Sequence, residues 1–349
     1  MQQAITLLRV RTKKVAFTLG VKSLLGNMAM LDRVVTPFLQ LTLCFAVMIH
    51  SANTTSAFSE PIHVASLEPE VTLQRSACQC QRCFVAESHN FRIHCCSTAE
   101  RVRELAILCE RQKSHCQSIW LGERLTDWPT RCEVFVHPSL RAYSRALGPG
   151  SERTSGCSTI QLDQGRVVLR RIDLRGDAVD CLTDSLPHEL THVVLADQFT
   201  ERRIPPWADE GIAMLAESPD KLQRRLNDLH GLIAQKRTMG LPELVNLTHP
   251  PTAALRDAFY GQSVTLAALL LEKGTPDQLL RFINAGQRDG YEQGLRDVYG
   301  IASWSALESE WSVYSGSQRL RLLANHSVPV PASNENLSAA EQPLTADAK

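Results

Sequence analysis

The sequence predicts an α+β protein, with a mixed sheet and helices first and an all-helical lobe after them. Three observations carry this. Strand patterns occur only before Ser185: residues 131–137 alternate apolar and polar side chains, and 165–174 is the strongest strand pattern of the chain. Beyond Ser185 apolar residues recur at helical spacing as far as residue 314. The balance of 44% hydrophobic to 21% charged residues is that of a globular chain. Its 349 residues suffice for one large domain or two small ones.

Residues 1–57 read as an export segment. Arg33 precedes a mostly apolar run over 34–49, and the small polar stretch from Ser51 to Ala57 follows it. That is the order of a secretory signal peptide, with cleavage placed after Ala57 or Ala52. The run is short of the ~20 residues a membrane span needs, and Pro37 and Gln40 interrupt it. A membrane enters only if this segment stays uncleaved as an anchor. The expected location is therefore outside the cytoplasm: periplasm, cell envelope or secreted.

Residues 58–97 read as a cysteine-rich linker region with one strand at 90–95. Residues 98–315 form the main domain, which opens with a helix at 98–120 and a short one from Pro138 to Ala146. Helices follow at 186–198, 207–217, 219–235, 252–272, 275–286, 289–298 and 303–314. Residues 316–349, rich in Ser, Ala, Pro and Asn, read as a disordered tail.

Charge excludes one class of partner. With 37 basic and 37 acidic side chains the net charge is zero, so no nucleic acid is expected. Loss of the export segment removes Cys44 and leaves ten cysteines, all before the helix at 186. An even count in an exported chain reads as disulfides that staple the N-terminal half. The alternative is a second zinc site built from Cys78, Cys80 and Cys83 with His94, Cys95 and Cys96, although the Cys-x-Cys-x-x-Cys spacing is not that of a zinc ribbon.

The chemistry concentrates in Leu186-Pro187-His188-Glu189-Leu190-Thr191-His192. Two histidines four apart on a helix project from one face, so His188 and His192 can share a metal ion. Glu189 lies about 100° round the helix and can reach a water on that ion instead. Pro187 suits the first helical turn, with Asp184 or Ser185 as the expected N-cap. A catalytic zinc commonly takes three protein ligands and keeps one position for water. The best candidate for the third is Glu210, in Pro206-Trp207-Ala208-Asp209-Glu210-Gly211; Asp209 is the rival. Glu189 is expected to take a proton from the zinc-bound water as it attacks a carbonyl, and to return that proton to the leaving amine. Among five tyrosines, Tyr260, in Ala258-Phe259-Tyr260-Gly261-Gln262-Ser263 at the head of a long apolar helix, is the candidate donor to the oxyanion.

These stretches resemble the gluzincin zinc metallopeptidases, in particular the peptidase-MA-like family. The resemblance implies a thermolysin-like zincin fold and makes 98–315 a peptidase-MA-like catalytic domain. Trp207-Ala208-Asp209-Glu210-Gly211-Ile212-Ala213 is similar to the aminopeptidase branch's segment that carries the third zinc ligand, a role that passes to Glu210. Tyr260-Gly261-Gln262-Ser263 is similar to that branch's tyrosine segment. The spacing from His192 to Glu210 is one residue shorter than usual there, and Gly156-Cys157-Ser158-Thr159-Ile160 stands where that branch has its glycine-x-methionine-glutamate-asparagine strand. No acidic group remains there to hold a free amino terminus. The expectation is an exported zinc-dependent metallopeptidase with one catalytic Zn2+ and a peptide or protein substrate. The alternative is a non-catalytic zincin-fold binding or cell-envelope protein.

Overall fold

The computed structural model describes residues 68–76, 83–122 and 126–316. Within them lies one six-stranded sheet, built of β1 (Thr72–Arg75), β2 (Cys83–Glu87), β3 (Phe91–Cys96), β4 (Cys132–His137), β5 (Gly156–Asp163) and β6 (Arg166–Arg175). The strand order is β1-β2-β3-β4-β6-β5. The three central strands are parallel, and the antiparallel neighbours at both margins make the sheet mixed. Alternation decides the faces. β3 and β4 send Phe91, Ile93, Cys95, Cys132, Val134 and Val136 into the core and the alternate residues to the other side. β5 turns into β6 through Gln164 and Gly165, whose φ values of 47° and 71° suit a two-residue hairpin turn.

Helix α1 (Ala99–Leu121) is capped by Thr98, whose hydroxyl accepts from the Arg101 N–H at 3.3 Å. It lays Val102, Leu105, Ala106 and Cys109 on the apolar face of the sheet. The short α2 (Leu140–Leu147) sits by β4 and β6 and buries Tyr143. Helix α3 (Leu186–Leu195) packs against α1, β5 and β6. A helical lobe follows: α4 (Pro206–Met214), α5 (Pro219–Ala234), α6 (Leu241–Val245), α7 (Ala253–Lys273), α8 (Pro276–Asp289), α9 (Tyr291–Gly294) and α10 (Trp304–Gly316). A single buried apolar cluster runs from the sheet through α3 into α4, α7 and α8. The architecture is α+β, with a mixed sheet and ten α-helices among the described residues.

Three expectations are corrected. The stretch read as a linker contributes β1 and β2 to the same sheet as β3. These short strands carry little signal of their own and form by pairing with β3. Among the eight described cysteines only Cys83 and Cys96 are joined, across β2 and β3; Cys95, Cys109, Cys116, Cys132, Cys157 and Cys181 are thiols. Most of these thiols are buried and pack as small apolar side chains. Burial pushes Cys95, Cys116 and Cys181 up to about 12, so they carry no thiolate at neutral pH. The described donors of the alternative cysteine zinc site are also engaged elsewhere. Cys96 is spent in the disulfide, Cys95 faces the core, and His94 Nε2 is 2.7 Å from Glu133. Finally, neither Asp184 nor Ser185 caps α3 with its side chain, because a π-helical turn (Cys181–Ser185) leads straight into the helix. Asp184 accepts from the Ser218 N–H at 2.6 Å instead, which ties the start of α5 to the start of α3. Cys78, Cys80, the export segment and the tail from 317 lie outside the described residues.

Candidate metal centre

Helix α3 places the two histidines as the i, i+4 spacing requires. His188 Nε2 and His192 Nε2 are 3.2 Å apart, and their rings meet edge to face. Glu210, from the middle of α4, brings Oε2 to 3.6 Å from His188 Nε2. One donor atom from each of these three residues lies within 4.8 Å of the others, a spacing at which they can hold a metal ion. Donors at ~2.0–2.1 Å from a tetrahedral ion stand roughly 3.3 Å apart, so the observed separations fit. The set of two imidazoles and one carboxylate suits a borderline cation such as zinc.

α4 reaches this position because of its glycine. A Cβ on Gly211 would stand 2.5 Å from the Ser263 carbonyl oxygen of α7, so only glycine allows the two helices to lie this close. Trp207 anchors the same helix, fully buried between the rings of Phe282 and Tyr291.

The outer ring nitrogens are engaged by two further carboxylates. His192 Nδ1 is 2.7 Å from Asp209 Oδ1. His188 Nδ1 is 3.0 Å from Glu217 Oε1, an ion-pair contact rather than a well-aligned hydrogen bond. Glu217 is buried and takes a two-pronged pair of hydrogen bonds from Arg225, both at 2.9 Å, with Lys221 3.5 Å away. Burial works against charge on His188, but Glu210 and Glu217 outweigh it and lift it to about 9. Burial likewise opposes charge on His192, and Asp209 lifts it to about 10. Burial opposes ionisation of Glu217, but His188 and Arg225 hold it down at about 2. The cradle thus favours positive charge, which a cation at the inner nitrogens would supply. Asp209, weighed in the sequence as a rival ligand, sits on the outer nitrogen of His192. Glu217 and Arg225 were not found from the sequence. Glu217 stands seven positions after Glu210, two helical turns on, but α4 ends at Met214, so periodicity carried no usable signal.

Glu189 is buried beside the edge strand β5, against Gly156. Tyr260 is the eighth residue of α7 rather than at its head. Its ring has the Arg225 guanidinium 5.7 Å from its centroid, and burial followed by the nearby Glu210 charge raises its hydroxyl above the usual phenol range. His188, Glu189, His192, Glu210 and Tyr260 all line one cavity of about 550 Å3, with β5 along one wall. A larger cavity of about 810 Å3, lined by Ser88, Asn90, Glu110 and Lys113, holds none of these residues, and its buried charges are already hydrogen-bonded.

A two-histidine helix and a carboxylate from the next helix, beside a sheet edge, form a cluster that could hold one metal ion. Residues 166–316 match the family model described as the Peptidase MA superfamily, which is consistent with a gluzincin-like peptidase family. The match runs from β6 to the end of α10 and contains all five predicted site residues. No curated protein matches the chain.

Proposed function

We propose that this chain is an exported zinc-dependent peptidase, with His188, His192 and Glu210 as ligands, Glu189 as base and Tyr260 as donor to the oxyanion. The observation that carries this reading is the convergence of both Nε2 atoms and Glu210 Oε2 beside Glu189. A zinc ion held there supplies Lewis acidity and lowers the pKa of its water toward ~7.

The chain's own groups do the rest. Asp209 and Glu217 fix the outer nitrogens, which leaves both Nε2 atoms free to bind metal. Glu189 takes the proton from water as the C–O bond forms, then gives it to the amine nitrogen as the C–N bond breaks. Tyr260 stays protonated at neutral pH and can donate to the developing oxyanion. β5 is an edge strand, so its unpaired backbone groups can align an extended peptide along the cavity. The signal-like segment and the Cys83–Cys96 disulfide support export. No described helix is long and apolar enough to cross a membrane.

The test is to count zinc and assay an unstructured protein in the full chain, Glu189→Gln and Glu210→Ala. The reading expects about one zinc, lost in Glu210→Ala, and cleavage that stops in Glu189→Gln while zinc stays. Zinc retained with no cleavage of any substrate favours the binding-protein alternative. A chain that takes up no zinc overturns both.

A further inference from the structure

Among the described residues, one face of the sheet carries only a short helix. Helices α1 and α3 pack on the apolar face, and α2 stands by β4 and β6, where Tyr143 meets the His137 ring edge to face. The opposite face presents the alternate side chains of the strands. Near its centre His94 stacks on Phe135, with 4.3 Å between centroids, and the Arg171 guanidinium lies 4.2 Å from the centroid of the same ring. An alternating strand pattern fits a face open to water. What sets this face apart is the order of its charges.

Strand pairing puts Thr72, Glu87, Arg92, Glu133, Arg171 and Thr159 in one row from β1 to β5. The row reads neutral, minus, plus, minus, plus, neutral. Its midpoint falls between β3 and β4, which is also the middle of the sheet. The side chains of Glu87, Arg92, Glu133 and Arg171 stay 26%, 40%, 30% and 35% exposed, so each has room for a second partner besides its neighbour in the sheet.

We infer that this face docks a second copy of this chain, related by a two-fold axis that runs along the strands between β3 and β4. Such an axis reverses the row and keeps its height along the strands. Glu87 then meets the second copy's Arg171, Arg92 meets its Glu133, and Thr72 meets its Thr159, each contact occurring twice by symmetry. A two-fold axis along the row would instead set each charge against the identical charge. Sheets packed face to face in this aligned way stand about 10 Å apart, within reach of arginine and glutamate side chains. The six strands hold arginines and no lysine, the preference found in interfaces. Six strands about 4.8 Å apart and roughly five residues long cover roughly 500 Å2 per copy. The total of about 1,000 Å2 is at the lower end of specific interfaces, so the dimer is a weak one. Helix α3 lies on the other face, so both metal centres stay open, and the inference stands apart from the peptidase reading.

Sedimentation velocity of the full chain, from about 1 to 300 μM and in low and high salt, tests this. The expected result is a monomer–dimer equilibrium in the micromolar range that salt weakens. Arg92→Glu and Glu133→Arg each bring like charges face to face and should weaken self-association about tenfold or more. Mixed together, the two variants regain opposite charges along the whole row and should form a heterodimer about as tight as the unmodified dimer. Mixing alters neither chain's own fold, so repaired stability does not explain such a recovery, and melting temperatures check that both variants are folded. A chain that stays monomeric throughout overturns the proposal, whether water, another segment of the chain or another protein covers the face. Self-association that neither variant weakens, or variants that fail to combine, places the contact elsewhere and overturns it as well.

Discussion

Gly156 of β5 and Glu189 of α3 lie close together. A Cβ on Gly156 would stand 2.8 Å from both Cγ and Oε1 of Glu189, so the bare backbone of β5 forms the wall against which the carboxylate rests. The edge strand therefore sets the position of Glu189, the proposed base. Gly156→Ala should push Glu189 aside and lower kcat by tenfold or more, since small displacements of a reacting group are costly. Zinc content and KM should hold. Steady-state kinetics with metal analysis checks this, and unchanged kcat would remove Gly156 from the mechanism.

Asp209 and Glu217 contact the outer nitrogens of the two proposed metal-binding histidines. Asp209→Asn and Glu217→Gln should each weaken zinc binding about 10- to 100-fold, measured by competition with a chelator of known affinity. Their effects on folding should differ. Glu217 is buried among His188, Lys221 and Arg225, so its loss leaves cations without their partner and lowers the melting temperature. Asp209 is one-third exposed, and its variant should melt close to the unmodified chain. Equal zinc affinity in all three proteins would refute the positioning role.

Tyr260 faces the same cavity from α7. Tyr260→Phe removes only the hydroxyl, so kcat should fall about 10²- to 10³-fold, with zinc content and KM little changed. The ring keeps its packing against Phe259, at 5.3 Å between centroids. Full turnover in this variant would leave Tyr260 as a packed aromatic.

Asp173 predicts the acid response of the sheet. It is fully buried on β6, 2.7 Å from His137 Nε2, and takes two hydrogen bonds from Arg171 at 2.7 and 2.8 Å. Burial opposes its ionisation, but His137 and Arg171 outweigh burial and hold its carboxyl below the usual range. A carboxylate whose folded pKa is depressed adds stability above its unfolded pKa near ~3.9, and that stability is lost as pH falls through the lower folded value. Urea titrations from pH 7 to pH 3 should therefore show stability falling below about pH 4. In Asp173→Asn the fall should be shallower and the stability at pH 7 about 1–3 kcal/mol lower. Parallel pH curves for the two proteins would contradict this assignment.

Strong periodicity was legible and short pairing was not. Strands 131–137 and 165–174 and the long helices were each found to within a few residues, because alternation and helical spacing are local properties. β1, β2, β5 and α6 were missed: β1, β2 and α6 hold four or five residues, too few for a pattern to register, and β5 is an edge strand with no fully buried position. The cysteine count misled for a related reason. Parity says nothing about which side chains meet, and strand alternation put Cys95 and Cys96 on opposite faces.

By itself the sequence determined the residues that are neighbours along a helix: His188, Glu189 and His192 share one turn whatever surrounds them, and it supplied Glu210 and Tyr260 as the types the chemistry needs. Tertiary structure alone decided which atoms converge. The contact of α4 with α7 at Gly211 swings Glu210 toward the inner nitrogen of His188 and Asp209 toward the outer nitrogen of His192. Arg225, from α5, holds Glu217 under His188. Helix geometry fixes spacing within about one turn, but only packing between elements fixes the distance between residues far apart in the chain.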